Sequence, residues 1–128
     1  MDEDRLAELV EPLFQSDLET DIDDGVVVVT IPGPAGSPYA GHSFRFRLDL
    51  PAGFPQDRPR IFALTPIVHP NVHPEMANEV CLAIAAPGSW NGQETHLGHV
   101  AASLQEALAR PEGDAAPGWE AKARAALA

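Results

Sequence analysis

Basic side chains are scarce in this chain. Lysine and arginine number 8 among 128 residues, against 19 aspartates and glutamates, for a formal net charge of −11 at pH 7. Nucleic-acid binding draws most of its affinity from basic groups on phosphate, so no nucleic-acid partner is expected. The same balance argues against an anionic membrane surface. Long apolar runs are missing as well. Val26 to Val29 is strand-length, and no stretch approaches the roughly 20 residues that span a bilayer. Cysteine occurs once, at Cys81, so no disulfide can form within the chain. The start, Met1-Asp2-Glu3-Asp4, is the reverse of a basic secretory leader. Together these absences place the expected protein in the cytoplasm. Lysine also occurs once, at Lys122, and the skew toward alanine and proline hints at a GC-rich bacterial genome.

What is present is enough for one core. Hydrophobic residues make up 45% of the chain, which rules out a disordered segment and suits a single domain over residues 1–128. Leu6, Leu9, Val10 and Leu13 at helical spacing predict a helix over residues 2–14, short or bent because of Pro12. Residues 16–23 read as a weak edge strand. Residues 25–31 form a β-branched run, and residues 42–50 alternate, with Phe44, Phe46, Leu48 and Leu50 on one face. Residues 60–64 read as a fourth strand. Leu97, Val100, Ala101, Leu104 and Leu108 mark an amphipathic helix, with Thr95 as its cap and Pro111 and Gly113 ending it. A last short helix covers residues 119–127. The order predicts an α+β fold: an antiparallel four-stranded meander with helices packed on it.

Residues 65–95 show little periodicity and are too long for a routine connection, which marks them as functional. They hold His69-Pro70-Asn71, then Cys81, then Trp90. A lone thiol with an amide side chain upstream is a minimal kit for thioester chemistry. The thiolate accepts an acyl group, and the amide can donate to the oxyanion formed when that thioester is attacked. A zinc site from His69, His73 and Cys81, or from His96 and His99, lacks the paired Cys-x-x-Cys spacing and is set aside. Without that pattern, His96 and His99 read as solvated helix residues. Trp90 and Trp119 read as core anchors.

The order of several features resembles the ubiquitin-conjugating enzyme family over residues 25–117. They are Ile31-Pro32-Gly33-Pro34, Ser37-Pro38-Tyr39-Ala40-Gly41, Phe54-Pro55 with Pro59, His69-Pro70-Asn71, Cys81-Leu82 and Trp90. The resemblance implies that Cys81 takes a ubiquitin-like protein from an activating enzyme as a thioester. It implies that Asn71 supports attack on that thioester by an amine of a protein target, commonly a lysine. His69 and Pro70 would order the loop that carries Asn71. Asp114, or Glu112, would be the acid that orients the incoming amine. The expected partners are a ubiquitin-like protein, an activating enzyme, a protein target and in some settings a ligase. No cofactor or metal is implied.

The chain also departs from the family pattern. The Asn71–Cys81 spacing is about two residues longer than the family's, and Ala83 stands where an acid is common. The ligase-facing positions read Gln56 and Asn91-Gly92-Gln93, and the first helix begins with acids. The C-terminus is shorter than the family's. A compact bacterial relative fits these departures; such proteins occur in operons beside activating-enzyme and deubiquitinase-like genes, some of them antiviral. The alternative is a non-catalytic module of the same fold that binds ubiquitin-like proteins or scaffolds a complex.

Overall fold

A computed structural model describes residues 2–128. Helix α1 spans Glu3–Phe14, and Asp2 caps it by accepting the Arg5 N–H at 2.7 Å. Glu3 and Asp4 sit at the positive end of its dipole, where acids are favoured. Pro12 lies inside the helix and removes one backbone donor. The helix nevertheless continues to Phe14, because Val10 and Leu13 on either side of it are fully buried.

Four strands follow as an antiparallel meander: β1 Glu19–Asp23, β2 Val26–Pro32, β3 Ser43–Asp49 and β4 Arg60–Ala63. Register puts one apolar set on one face. Val27 pairs with Leu48, Val29 with Phe46, Ile31 with Phe44, and Leu48 with Ile61. All of these side chains are buried in the main core. β1 is an edge strand in which Glu19, Asp21, Ile22 and Asp23 are exposed. On the outer face Phe62 lies under two guanidinium groups, Arg47 at 4.5 Å and Arg60 at 5.3 Å from its ring centre.

The sheet has six strands rather than the expected four. Beyond β4 come β6, Glu79–Val80, and β5, Val72–His73, in the order β1-β2-β3-β4-β6-β5. Each is two residues long. A pair of two-residue strands is too short to show alternation, so it was invisible within residues 65–95. The two are joined by a tight 3-10 turn, Pro74–Met76, followed by Ala77 and Asn78, both with positive φ (58° and 64°). This hairpin aligns the chain that leads into Cys81.

Helix α2 spans Leu97–Ala109 and packs its apolar face on β2 and α1. Its N-cap is His96, not Thr95. Helix α3 spans Trp119–Leu127 and buries Ala123. No helix is long and apolar enough to cross a membrane among the described residues.

Alanine in the left-handed region carries a steric penalty of about 1–2 kcal/mol that glycine avoids, partly offset by glycine's greater freedom when unfolded. Ala77→Gly is therefore expected to stabilise the protein by up to about 1 kcal/mol, read as a higher midpoint in urea unfolding. A lower midpoint would show that the Ala77 methyl contributes packing that outweighs the strain.

Candidate active site

His69 is buried and works from both ring nitrogens. Its Nε2–H donates to the Ala107 carbonyl at 2.7 Å, and its Nδ1 accepts the Asn71 N–H at 3.0 Å. The Ala107 carbonyl is available for a local reason. Its helical partner would be the N–H four residues on, and that residue is Pro111, which has none. A histidine thus takes up the orphan carbonyl at the end of α2 and fixes the loop carrying Asn71 to it. Burial lowers the His69 pKa, against a smaller upward pull from the Ala107 hydrogen bond. The ring packs beside Tyr39 and Trp119, whose centroids lie 5.7 and 5.9 Å away. The Tyr39 hydroxyl donates to the Val68 carbonyl, one residue upstream of His69.

Asn71 joins two distant segments. Its Nδ2 donates to the Glu112 carbonyl at 3.1 Å, and its Oδ1 accepts the Glu112 N–H at 2.9 Å. Its own carbonyl accepts the Cys81 N–H at 2.9 Å. One residue therefore holds the Cys81 backbone on one side and the loop after α2 on the other. The Glu112 carboxylate closes the circuit by accepting the Ala83 N–H at 2.7 Å. It reaches the segment just past Cys81, where the sequence itself has no acid.

Cys81 is exposed. It borders a groove with Arg58, Pro59, Arg60, Met76 and Pro87. Partial burial of the sulfur, followed by the Glu79 carboxylate, pushes its thiol pKa up; Arg58 and Arg60 pull the other way and are outweighed. Arg60 is already committed, since it grips the buried Glu79 carboxylate through two hydrogen bonds of 2.7 and 3.0 Å. Its guanidinium holds the Glu79 carboxyl below the usual range. The thiol is thus accessible but not activated by its surroundings.

The structure brings His69, Asn71, Cys81 and Glu112 together through hydrogen bonds. Pro70 lies between His69 and Asn71 and is half-buried. Asp114 is exposed, and its side chain makes no hydrogen bond among the described residues. Trp90 is half-buried. Its Nε1–H donates to the Pro55 carbonyl at 2.7 Å, and its ring lies 5.9 Å from Phe54, tying two loops together. A Cβ on Gly92 would overlap that same Pro55 carbonyl, so only glycine lets the two loops approach this closely. Among the described residues, no three His, Cys, Asp or Glu side chains converge as metal ligands would.

The ubiquitin-conjugating enzyme family model matches residues 2–126, nearly the whole chain. The chain belongs to the ubiquitin-conjugating enzyme family. Ubiquitin-conjugating enzyme E2 S-A of Xenopus laevis is 38% identical over 103 residues, covering 80% of this chain and 44% of the relative. The human ubiquitin-conjugating enzyme E2 S is 37% identical over 103 residues, with the same coverage. The chain thus spans less than half the length of these curated relatives. Among solved structures, a Toxoplasma gondii ubiquitin-conjugating enzyme E2 domain superposes with a TM-score of 0.79 at 24% identity, over 96% of this chain and 94% of that one, and supports the fold. The human ubiquitin-conjugating enzyme E2 G1 gives a TM-score of 0.69 at 28% identity, over 84% of this chain and 91% of that one. These relatives are not bacterial, and the bacterial origin suggested by composition gains no support from them.

Two outcomes follow for this member of the ubiquitin-conjugating enzyme family. His69→Ala removes a buried ring and strands two backbone groups, so it should cost about 2–4 kcal/mol of stability by urea unfolding. A cost below about 1 kcal/mol would mean the loop is held by other contacts. The folded His69 pKa lies below its unfolded value, so its contribution is intact above the ordinary histidine pKa and is lost as pH falls below it. For Cys81, alkylation by iodoacetamide at pH 7 should be slower than that of a free cysteine in a short peptide, and should still be rising where the peptide's rate has levelled off. A faster rate at pH 7 would reveal an activated thiolate.

Proposed function

We propose that this protein carries a ubiquitin-like protein on Cys81. The thiolate of Cys81 attacks the thioester carbonyl on an activating enzyme, the activating enzyme's thiolate leaves, and a new thioester forms on Cys81. A neutral amine of a protein target then attacks that carbonyl; the carbon–sulfur bond breaks, the proton lost by the nitrogen goes to the departing Cys81 sulfur or to water, and an amide is made. The observation that carries this reading is the position of the sole cysteine: exposed, with its N–H held by the carbonyl of Asn71.

The elevated thiol pKa suits such a carrier. The first step exchanges one thioester for another of similar energy, so little driving force is needed. A thiol that is mostly protonated reacts less with stray electrophiles. Asn71 has two Nδ2 protons, and its contact with Glu112 uses one. The second is the proposed oxyanion donor, already oriented by the first. Asp114, whose carboxylate is not engaged elsewhere, is the proposed acid that holds the incoming amine, whereas Glu112 is occupied with Ala83. The activating enzyme, the ubiquitin-like protein, the target and a ligase are proposed partners on the strength of family membership. The proposed setting is the cytoplasm.

Incubation with an activating enzyme, ATP and the ubiquitin-like protein should give an adduct on Cys81 that thiols release. Cys81→Ser should give a thiol-resistant ester or none. An adduct that survives Cys81→Ala, or no adduct with any activating enzyme tried, would leave the non-catalytic module as the better reading. Asn71→Ala should load at near the parental rate but discharge to free lysine about a hundredfold more slowly in a single turnover. Equal discharge rates would confine Asn71 to its structural tie with Glu112.

A further inference from the structure

His96 and His99 form a pair that the proposed activity does not use. His96 caps α2 with a ring nitrogen: its Nδ1 accepts the Gly98 N–H at 3.0 Å. The Nδ1 of His99 in turn accepts the His96 N–H at 3.2 Å. A backbone N–H can only donate, so both Nδ1 atoms must present a lone pair. Both rings are therefore neutral, with their protons on Nε2. They lie face to face, 3.7 Å between centres and 16° from parallel. This is the reciprocal arrangement of a capping box, with imidazoles in place of the usual hydroxyl and carboxylate.

A cap made this way fails when it is protonated. The added proton lands on the Nδ1 atoms that receive the caps and turns each acceptor into a donor facing a donor. It also stacks two cations against each other at the positive end of a helix dipole. We infer that the His96–His99 pair is a proton-sensitive cap that holds the start of α2, and the loop before it, against α1 only while both rings are neutral.

The surroundings give this cap something to control. A Cβ on Gly98 would lie 3.3 Å from the Pro12 side chain, so the start of α2 sits tightly on α1. Glu8, Leu9 and Pro12 of α1 and residues 92–97 share the walls of one groove. The charged groups that share the groove's walls with His96 are Glu8 of α1, which is paired with Arg5 at 3.0 Å, and Glu94 of the preceding loop. β2 and the Ala83–Ala85 turn, which also pack on α2, carry no titratable side chain. The His96 pKa is shifted downward, with burial the larger cause and His99 the second. The folded pKa below the unfolded value means that the cap is intact above the ordinary histidine pKa and opens as pH falls below it. Trp90, bonded to the Pro55 carbonyl, keeps the earlier part of the loop in place. Release is therefore confined to the stretch between Trp90 and the first turn of α2.

Proton–nitrogen correlation spectra of the whole chain, recorded from pH 7.5 down to 5.0, test this. The ring signals of His96 and His99 should titrate together, and the Gly98 and His96 amide protons should shift with the same midpoint. The Asn71 amide reports His69 separately, at the other end of α2. The double variant His96→Asn, His99→Gln keeps a side-chain oxygen acceptor at both positions and has nothing to titrate there; its Gly98 amide should be independent of pH. A Gly98 amide that stays still while the parental rings titrate overturns the inference, and this result needs no variant. So does a Gly98 shift that persists unchanged in the double variant.

Discussion

The side-chain amide of Asn71, paired through both of its polar atoms with the backbone of Glu112, is the contact on which the site depends. It joins segments 41 residues apart. The Cys81 N–H is received by the Asn71 carbonyl, and the Ala83 N–H by the Glu112 carboxylate. Both flanks of the cysteine therefore trace back to one residue, the first through its backbone and the second through its side chain. The backbone N–H of Asn71 is in turn held by His69, which is bonded to the end of α2. The sheet and its core supply a rigid floor. The alignment of the site comes from these few polar contacts between loops, where a lost partner is costly because the groups are partly out of water.

Much of this order was legible in the sequence. The alternation of residues 42–50 and the β-branched run before it located two central strands, and the helical spacing of Leu97, Val100, Leu104 and Leu108 located α2. His69, Asn71 and Cys81 stood out as a group, and the structure does hydrogen-bond them into one assembly. β5 and β6 stayed hidden because periodicity cannot be read over two residues. The Glu112–Ala83 contact was hidden for another reason. Nothing in a linear sequence says that an acid 29 positions away from Ala83 accepts the Ala83 N–H, beside the cysteine. One signal was available and unused: Pro111, four residues after Ala107, announces a helix carbonyl without a donor, and His69 is the buried ring that answers it.

The charge pattern has its own logic. Of the few basic residues, Arg58 and Arg60 lie at the groove with Cys81, yet the thiol pKa rises. The first reason is partial burial of the sulfur, and the second is the Glu79 carboxylate. Arg60 is paired with Glu79, a buried carboxylate on β6, and its pull on the sulfur is outweighed. Proximity of a cation is therefore a poor guide to thiol activation unless its partners are counted.

Strand β1 shows what the surplus of acids does elsewhere. It is the outermost strand of its side of the sheet, and its far row of backbone groups is unpaired. An open edge of this kind is a template for another copy of the chain. Here the edge carries Glu19, Asp21 and Asp23 on alternate positions, so two copies brought edge to edge would set like charges against each other. The safeguard is electrostatic rather than steric, with no proline or bulge to reinforce it within the strand. It therefore weakens as salt rises and the Debye length shrinks. The surplus of acids thereby makes the chain's colloidal behaviour a function of ionic strength.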